Sequence, residues 1–190
     1  MNKNKVLAAF ILVSFGVILR LLMVEFVNIP NLEIITAFAL ISGALLGGIF
    51  TFVVPLSIIA ITDMYIGNNI VLIFTWSAFA VIGIFGWFLR NRKTSHYRFI
   101  AEMTGIGIIS SLFFYLYTNF GWWLLSNTYT HTWQGLINCY VMGLPFLKTN
   151  LLGTLFFVPL FTSTALFVRV NLFSWFNLSL KYSKLKLKLK

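Results

Sequence analysis

The stretch IITAFALISGALLGGIFTFVVPLSIIAIT, residues 34–62, carries no charge in 29 residues, and the number of times it crosses a bilayer decides the fold. One straight helix of that length reaches about 44 Å, against about 30 Å of hydrocarbon, whereas two helices get about 20 Å each. Length leaves both readings open, and the flanking charges choose between them. Lys3 and Lys5 precede the first apolar run, Arg90, Arg92, Lys93 and Arg98 separate the runs at 70–89 and 98–118, and bases recur from Arg169 to Lys190. Glu25, Glu33 and Asp63 fall in the gaps between these clusters. Short loops rich in Lys and Arg are retained on the cytoplasmic side. A single crossing of 34–62 would put the Arg90–Arg98 loop outside. Two crossings, broken near Gly47-Gly48, put all three basic clusters inside. Two are therefore expected, with Pro55 in the first turns of the second helix or kinking it.

Parity also governs the rest of the chain. Residues 6–26, 70–89 and 149–168 are each long and apolar enough to cross, and 98–118 joins them because Glu102 lies one helical turn from Arg98 and can neutralise it. Residues 133–144 are apolar too, but counting them as a span would place the terminal lysines outside. They are expected as an interfacial or re-entrant segment within a long outer loop, 119–148, folded over a cavity that satisfies its amides. The expected fold is an all-α integral membrane protein with six transmembrane helices at 6–26, 34–48, 51–63, 70–89, 98–118 and 149–168. These form one domain, 1–176, followed by a basic tail, 177–190, with both termini on the cytoplasmic side of the cell membrane.

Composition supports that class. With 59% hydrophobic and 9% charged residues, the chain has too few polar groups to cover a water-soluble globule. The charge of +10 would suit nucleic acid in a soluble protein, but here the bases flank apolar runs, where anionic lipid headgroups are nearer. No nucleic-acid partner is expected. The alternating Leu and Lys of the tail reads as a tether to such headgroups. The first run mimics a secretory signal, yet no small-x-small cleavage site follows, so it is read as a retained span. The lone Cys139 excludes an internal disulfide and a cysteine-based zinc cage.

Catalytic patterns are missing at the spacing they need: no nucleophile with a base, no clustered metal ligands, no phosphate loop. An enzyme is not expected, nor a cofactor or metal. Polar and aromatic residues gather instead on the outer side: Asn31 and Glu33 after the first helix, Asp63 after the third, and Asn119, Trp122, Trp123, His131, Trp133, Gln134, Asn138 and Tyr140 around the last outer connection. Rings supply contact area and amides fix orientation, which suits a small flat or amphiphilic ligand. An aromatic belt at the bilayer interface accounts for the tryptophans equally well, but not for Asn31, Asp63 or Asn119. Arg20 lies inside the first apolar run and needs a partner; Asp63 is the expected one, with Arg20 and Glu33 shaping the pocket. Gly43-xxx-Gly47, Gly83-xx-Gly86 and Gly105-x-Gly107 mark close helix contacts, within the bundle or to another subunit.

Three segments also carry a resemblance: PNLEIITAFALISGALLGG (30–48), VPLSIIAITDMYIG (54–67) and TNFGWWLLSNTYTHTWQGLINCYVMGLPFLKTNLLGTLFF (118–157). They resemble a family of uncharacterised prokaryotic membrane proteins, similar in size and six-helix layout to the substrate-binding S components of energy-coupling-factor (ECF) transporters. By that resemblance Asn31, Asp63, Asn119, Trp123, Gly135, Tyr140, Pro145 and Phe146 occupy motif positions. It implies capture of a small micronutrient-like solute near the outer face, with a membrane coupling subunit and ATPases as partners. The first helix departs from the S-component pattern, having Ala8-Ala9 where an Ala-xxx-Ala contact with the coupling subunit is usual.

Overall fold

The computed structural model describes the backbone of residues 3–27 and 29–188 and the side chains of 3–27 and 29–168. The side chains of the basic tail read at 177–190 lie outside the described residues. Six α-helices and no strands are found among the described residues: α1 Lys3–Leu22, α2 Ile35–Ile41, α3 Phe50–Ile66, α4 Leu72–Phe88, α5 His96–Leu125 and α6 Trp133–Lys188. π-Helical turns at Met23–Val27 and Ser42–Leu46 prolong α1 and α2. Three described segments are long and apolar enough to cross a membrane, Lys3–Val27, His96–Leu125 and Trp133–Val168, while Ile35–Leu46, Phe50–Ile66 and Leu72–Phe88 are shorter apolar helices.

α2 is the centre of the bundle. All seven of its residues are buried, and it packs against each of the other five helices. A helix that is apolar all round buries all round. Its sequence, ITAFALI, has one hydroxyl and no charge to hold any face at a surface.

After α2 the chain reverses at Gly47-Gly48, where both residues adopt φ values near +60° (63° and 62°) that a side chain would disfavour. This is the break expected near Gly47-Gly48. The Lys5 ammonium donates to the Leu46 carbonyl at 2.6 Å, and the Arg90 guanidinium lies directly on Gly47. The starts of α1 and α3 and the ends of α2 and α4 therefore share one basic end, to which α5 adds Arg98 with Glu102 at 3.1 Å. Glu25, Glu33 and Asp63 sit toward the other end, because successive helices run in alternate directions.

Glycine sets the spacing inside the bundle. A Cβ at Gly43 would strike the Gly83 carbonyl, and one at Gly86 would strike the Leu40 carbonyl, so α2 and α4 touch backbone to backbone. Gly83 likewise admits the Thr51 carbonyl of α3. Pro55, one turn further along α3, has no N–H to offer that carbonyl, and the approach of α4 covers it. Gly105 differs, with nothing near the position of its absent Cβ.

The long outer loop expected at 119–148, with its re-entrant segment, is not there. α5 continues to Leu125, only Ser126–Thr132 connect the helices, and 133–144 form the start of α6. Residues 133–144 contain no proline to stop a helix, and Pro145 bends a helix without having to end it. The bend is visible in the register. Ser111 bonds Thr154, and Cys139 bonds the Asn119 carbonyl, so eight residues of α5 face fifteen of α6. At 1.5 Å per residue that is about 12 Å against about 22 Å, and α6 must bow away from α5 between the contacts.

The connection between α1 and α2 fills part of that bow. Leu32 N–H donates to the Ile29 carbonyl at 3.3 Å, closing a turn with Pro30 second and Asn31 third at φ 56°, the type II pattern. Thr149 of α6 donates to the Pro30 carbonyl at 2.8 Å, and Gly153 lets the Glu33 backbone press against α6.

Candidate functional site

The residues expected to share a ligand site fall into three groups. Arg20 and Asp63 form the first. They meet at 2.7 Å, the partnership anticipated for a charge inside an apolar run. Arg20 also donates to Thr62, and the Trp76 indole donates to the second Asp63 oxygen at 3.0 Å. The carboxylate is thus held from both sides, between α1, α3 and α4, with its side chain 8% exposed. It does not line the cleft described below, so the expectation of one chamber holding Asp63 with Asn31 and Asn119 is corrected. Glu33 is spent locally too: its carboxylate accepts the Ile35 N–H at 2.7 Å at the start of α2.

The second group is the aromatic turn between α5 and α6. The Trp123 indole donates to the Thr130 carbonyl at 3.0 Å, and the Trp123 ring meets His131 edge-on and Phe120 at a tilt. Residues 127–131 border a shallow, wide-open depression of about 320 Å³ with no buried polar group on its walls. Trp122 is half-buried on α5. Trp133, Gln134 and Asn138 are exposed on the first turns of α6, Gln134 and Asn138 bonding each other at 3.2 Å. Asp63 and His131 keep separate partners and form no acid–base pair.

The third group is a cleft at the bow of α6. It is lined by Asn31 from the connection, Phe114, Tyr115, Thr118 and Asn119 from α5, and Phe146, Leu147 and Asn150 from α6, with a cavity volume of about 20 Å³. Asn119 Nδ2 donates to the Tyr115 carbonyl at 2.8 Å, and the Tyr115 hydroxyl donates to the Tyr140 carbonyl at 2.6 Å, fixing α5 against the first half of α6. Tyr140 in turn donates to the Leu116 carbonyl. Tyr140 is therefore a strut behind the cleft and not a wall of it.

Asn150 was not among the expected residues. It is 4% exposed and its Oδ1 has no hydrogen-bond partner. Leaving such an acceptor dry and unpaired costs about 1–3 kcal/mol, a cost that a donor entering the cleft would relieve. Its signal in the sequence is a repeated dipeptide: Thr118-Asn119 on α5 and Thr149-Asn150 on α6, both asparagines facing the cleft.

The family follows from comparison with other sequences, which matches residues 1–182 to one profile. The chain belongs to DUF6580, a family of unknown function. No curated protein and no solved structure matches it. For this DUF6580 chain the argument about chemistry therefore rests on its own residues. The cleft offers amide groups, one phenol and two phenyl rings, and no formal charge.

Proposed function

We propose that this chain is a six-span membrane protein that captures a small solute from the outer side and has no energy source of its own, in the manner of an ECF S component. One observation carries the reading: a cleft between α5, α6 and the α1–α2 connection, lined by Asn31, Asn119 and Asn150, in which a buried amide oxygen lacks a partner. The basic end formed around Lys5, Arg90 and Arg98 supports a cytoplasmic orientation for that end. Large apolar side chains face outward along α1 and α6, Phe10 at 68% and Phe156 at 62% among them, which fits lipid as their solvent. Under this reading the chain is not an enzyme, and inward release falls to a membrane coupling subunit with ATPases.

The test is purification in lipid nanodiscs followed by mass spectrometry of retained small molecules. Retention by the wild type and its loss in Asn119→Ala support capture; an empty wild type refutes it.

A second reading has an observation of its own. At about 20 Å³ the cleft holds roughly one water, and the bundle centre is filled by α2. A structural or accessory membrane protein needs no more than that. It predicts an empty wild type and a stable complex with another membrane protein on mild solubilisation.

A further inference from the structure

We infer that the cleft selects an uncharged solute carrying N–H or O–H donors, and that Asn150 is the residue that reads it. This rests on the capture reading above and adds the chemical class.

The argument begins with the four carboxylates of the chain, each of which is engaged elsewhere. Asp63 is held by Arg20 and Trp76, Glu25 accepts from the Tyr65 hydroxyl at 2.7 Å, Glu33 accepts from Ile35 N–H, and Glu102 faces Arg92 and Arg98. No acid is left to neutralise a bound cation in the cleft. Among the described bases, Arg20 is paired with Asp63, Lys5 and Arg90 are committed to the Leu46–Gly47 end, and Arg92 and Arg98 face Glu102. Lys148 is adjacent in sequence but exposed, and it is not part of the lining. No cation lines the cleft to meet an entering anion. A charge moved there loses its hydration without gaining a counter-charge, a cost a neutral molecule avoids.

What the cleft does provide is acceptor capacity. Asn150 Oδ1 is unpaired, and Asn119 donates its Nδ2 internally, which leaves its own Oδ1 with only a long thiol contact from Cys139 at 4.0 Å. A donor on the solute completes Asn150, whereas Asn119 Oδ1 packs against Gly143. Phe114, Tyr115 and Phe146 flank these oxygens and favour a solute with a flat apolar face. The present cavity is water-sized, so admission of a larger solute requires its walls to part; the Pro30–Glu33 wall is held to α6 by Thr149 and by close packing at Gly153.

The experiment incubates the full-length protein in nanodiscs with a defined library of neutral, anionic and cationic polar compounds below about 300 Da, then identifies what is retained after washing. The retained compounds are expected to be neutral donors. Asn150→Asp keeps the shape and adds a negative charge, so it is expected to shift retention by about tenfold or more toward cationic compounds, the scale of one charge-assisted hydrogen bond. Asn31→Gly, which suits the positive φ of that position, serves if the buried carboxylate unfolds the protein; it is expected to weaken retention of the neutral compound about tenfold. Retention of ionised compounds by the wild type, or of the same neutral compounds by every variant, overturns the assignment while capture stands. Retention of nothing from any charge class overturns capture and the assignment together.

Discussion

Asp63 is the residue on which α1, α3 and α4 converge, and its replacement separates charge from shape. Asp63→Ala leaves the Arg20 guanidinium, 17% exposed, without a counter-charge; the expected loss is about 3–5 kcal/mol, read as a lower unfolding temperature in detergent. Replacing both partners, as Arg20→Met with Asp63→Leu, is expected to recover most of that loss, because no charge then remains to be desolvated. This pairing was legible in the sequence, since an arginine inside an apolar run has few ways to be satisfied. Asn150 was not. It opens the apolar run at 149–168, where a single amide looks like a rim residue, and only the bow of α6 turns it inward.

Helix packing reads two glycines of similar sequence context in opposite ways. Gly43→Ala forces a methyl group into the backbone of α4 and is expected to destabilise by about 1–3 kcal/mol or more, whereas Gly105→Ala, facing open space on α5, is expected to gain about 0.5–1 kcal/mol. Chemical or thermal unfolding of the two variants side by side measures the contrast. At α6 the decisive residue is Pro145. Pro145→Ala restores an N–H aimed at the Val141 carbonyl and straightens the helix, so amide exchange across 141–149 is expected to slow and solute retention to fall. The break at Gly47-Gly48 was readable because two consecutive glycines fall where the flanking basic clusters call for a second crossing, and both adopt positive φ. The continuity of α6 was not readable, because parity counts crossings and says nothing about how far a helix runs on beyond one.

For the molecule as a whole, the alternating helices put Ser95, ahead of α5, and Thr128, between α5 and α6, at opposite ends. In a Cys139→Ser background, Ser95→Cys is expected to react with a membrane-impermeant maleimide only after permeabilisation of cells, and Thr128→Cys without it. Labelling of both from one side would dismantle the proposed topology. The same arrangement explains a mismatch in length. Ile35–Leu46 has twelve residues, about 18 Å, which is short for a span. In the proposed membrane topology, α2 is enclosed by the five other helices, so its length answers to protein neighbours and not to the thickness of the hydrocarbon.

That enclosure has a consequence for biosynthesis. In the proposed membrane topology the ribosome delivers α2 before α3 through α6 exist, so the helix destined for the centre waits among lipids, or folded back on the nascent α1, until its later neighbours arrive. Chains halted before residue 133 would display the α2 flank that α6 normally covers. On the proposed membrane reading, the enclosure of α2 is complete only once the last helix has arrived.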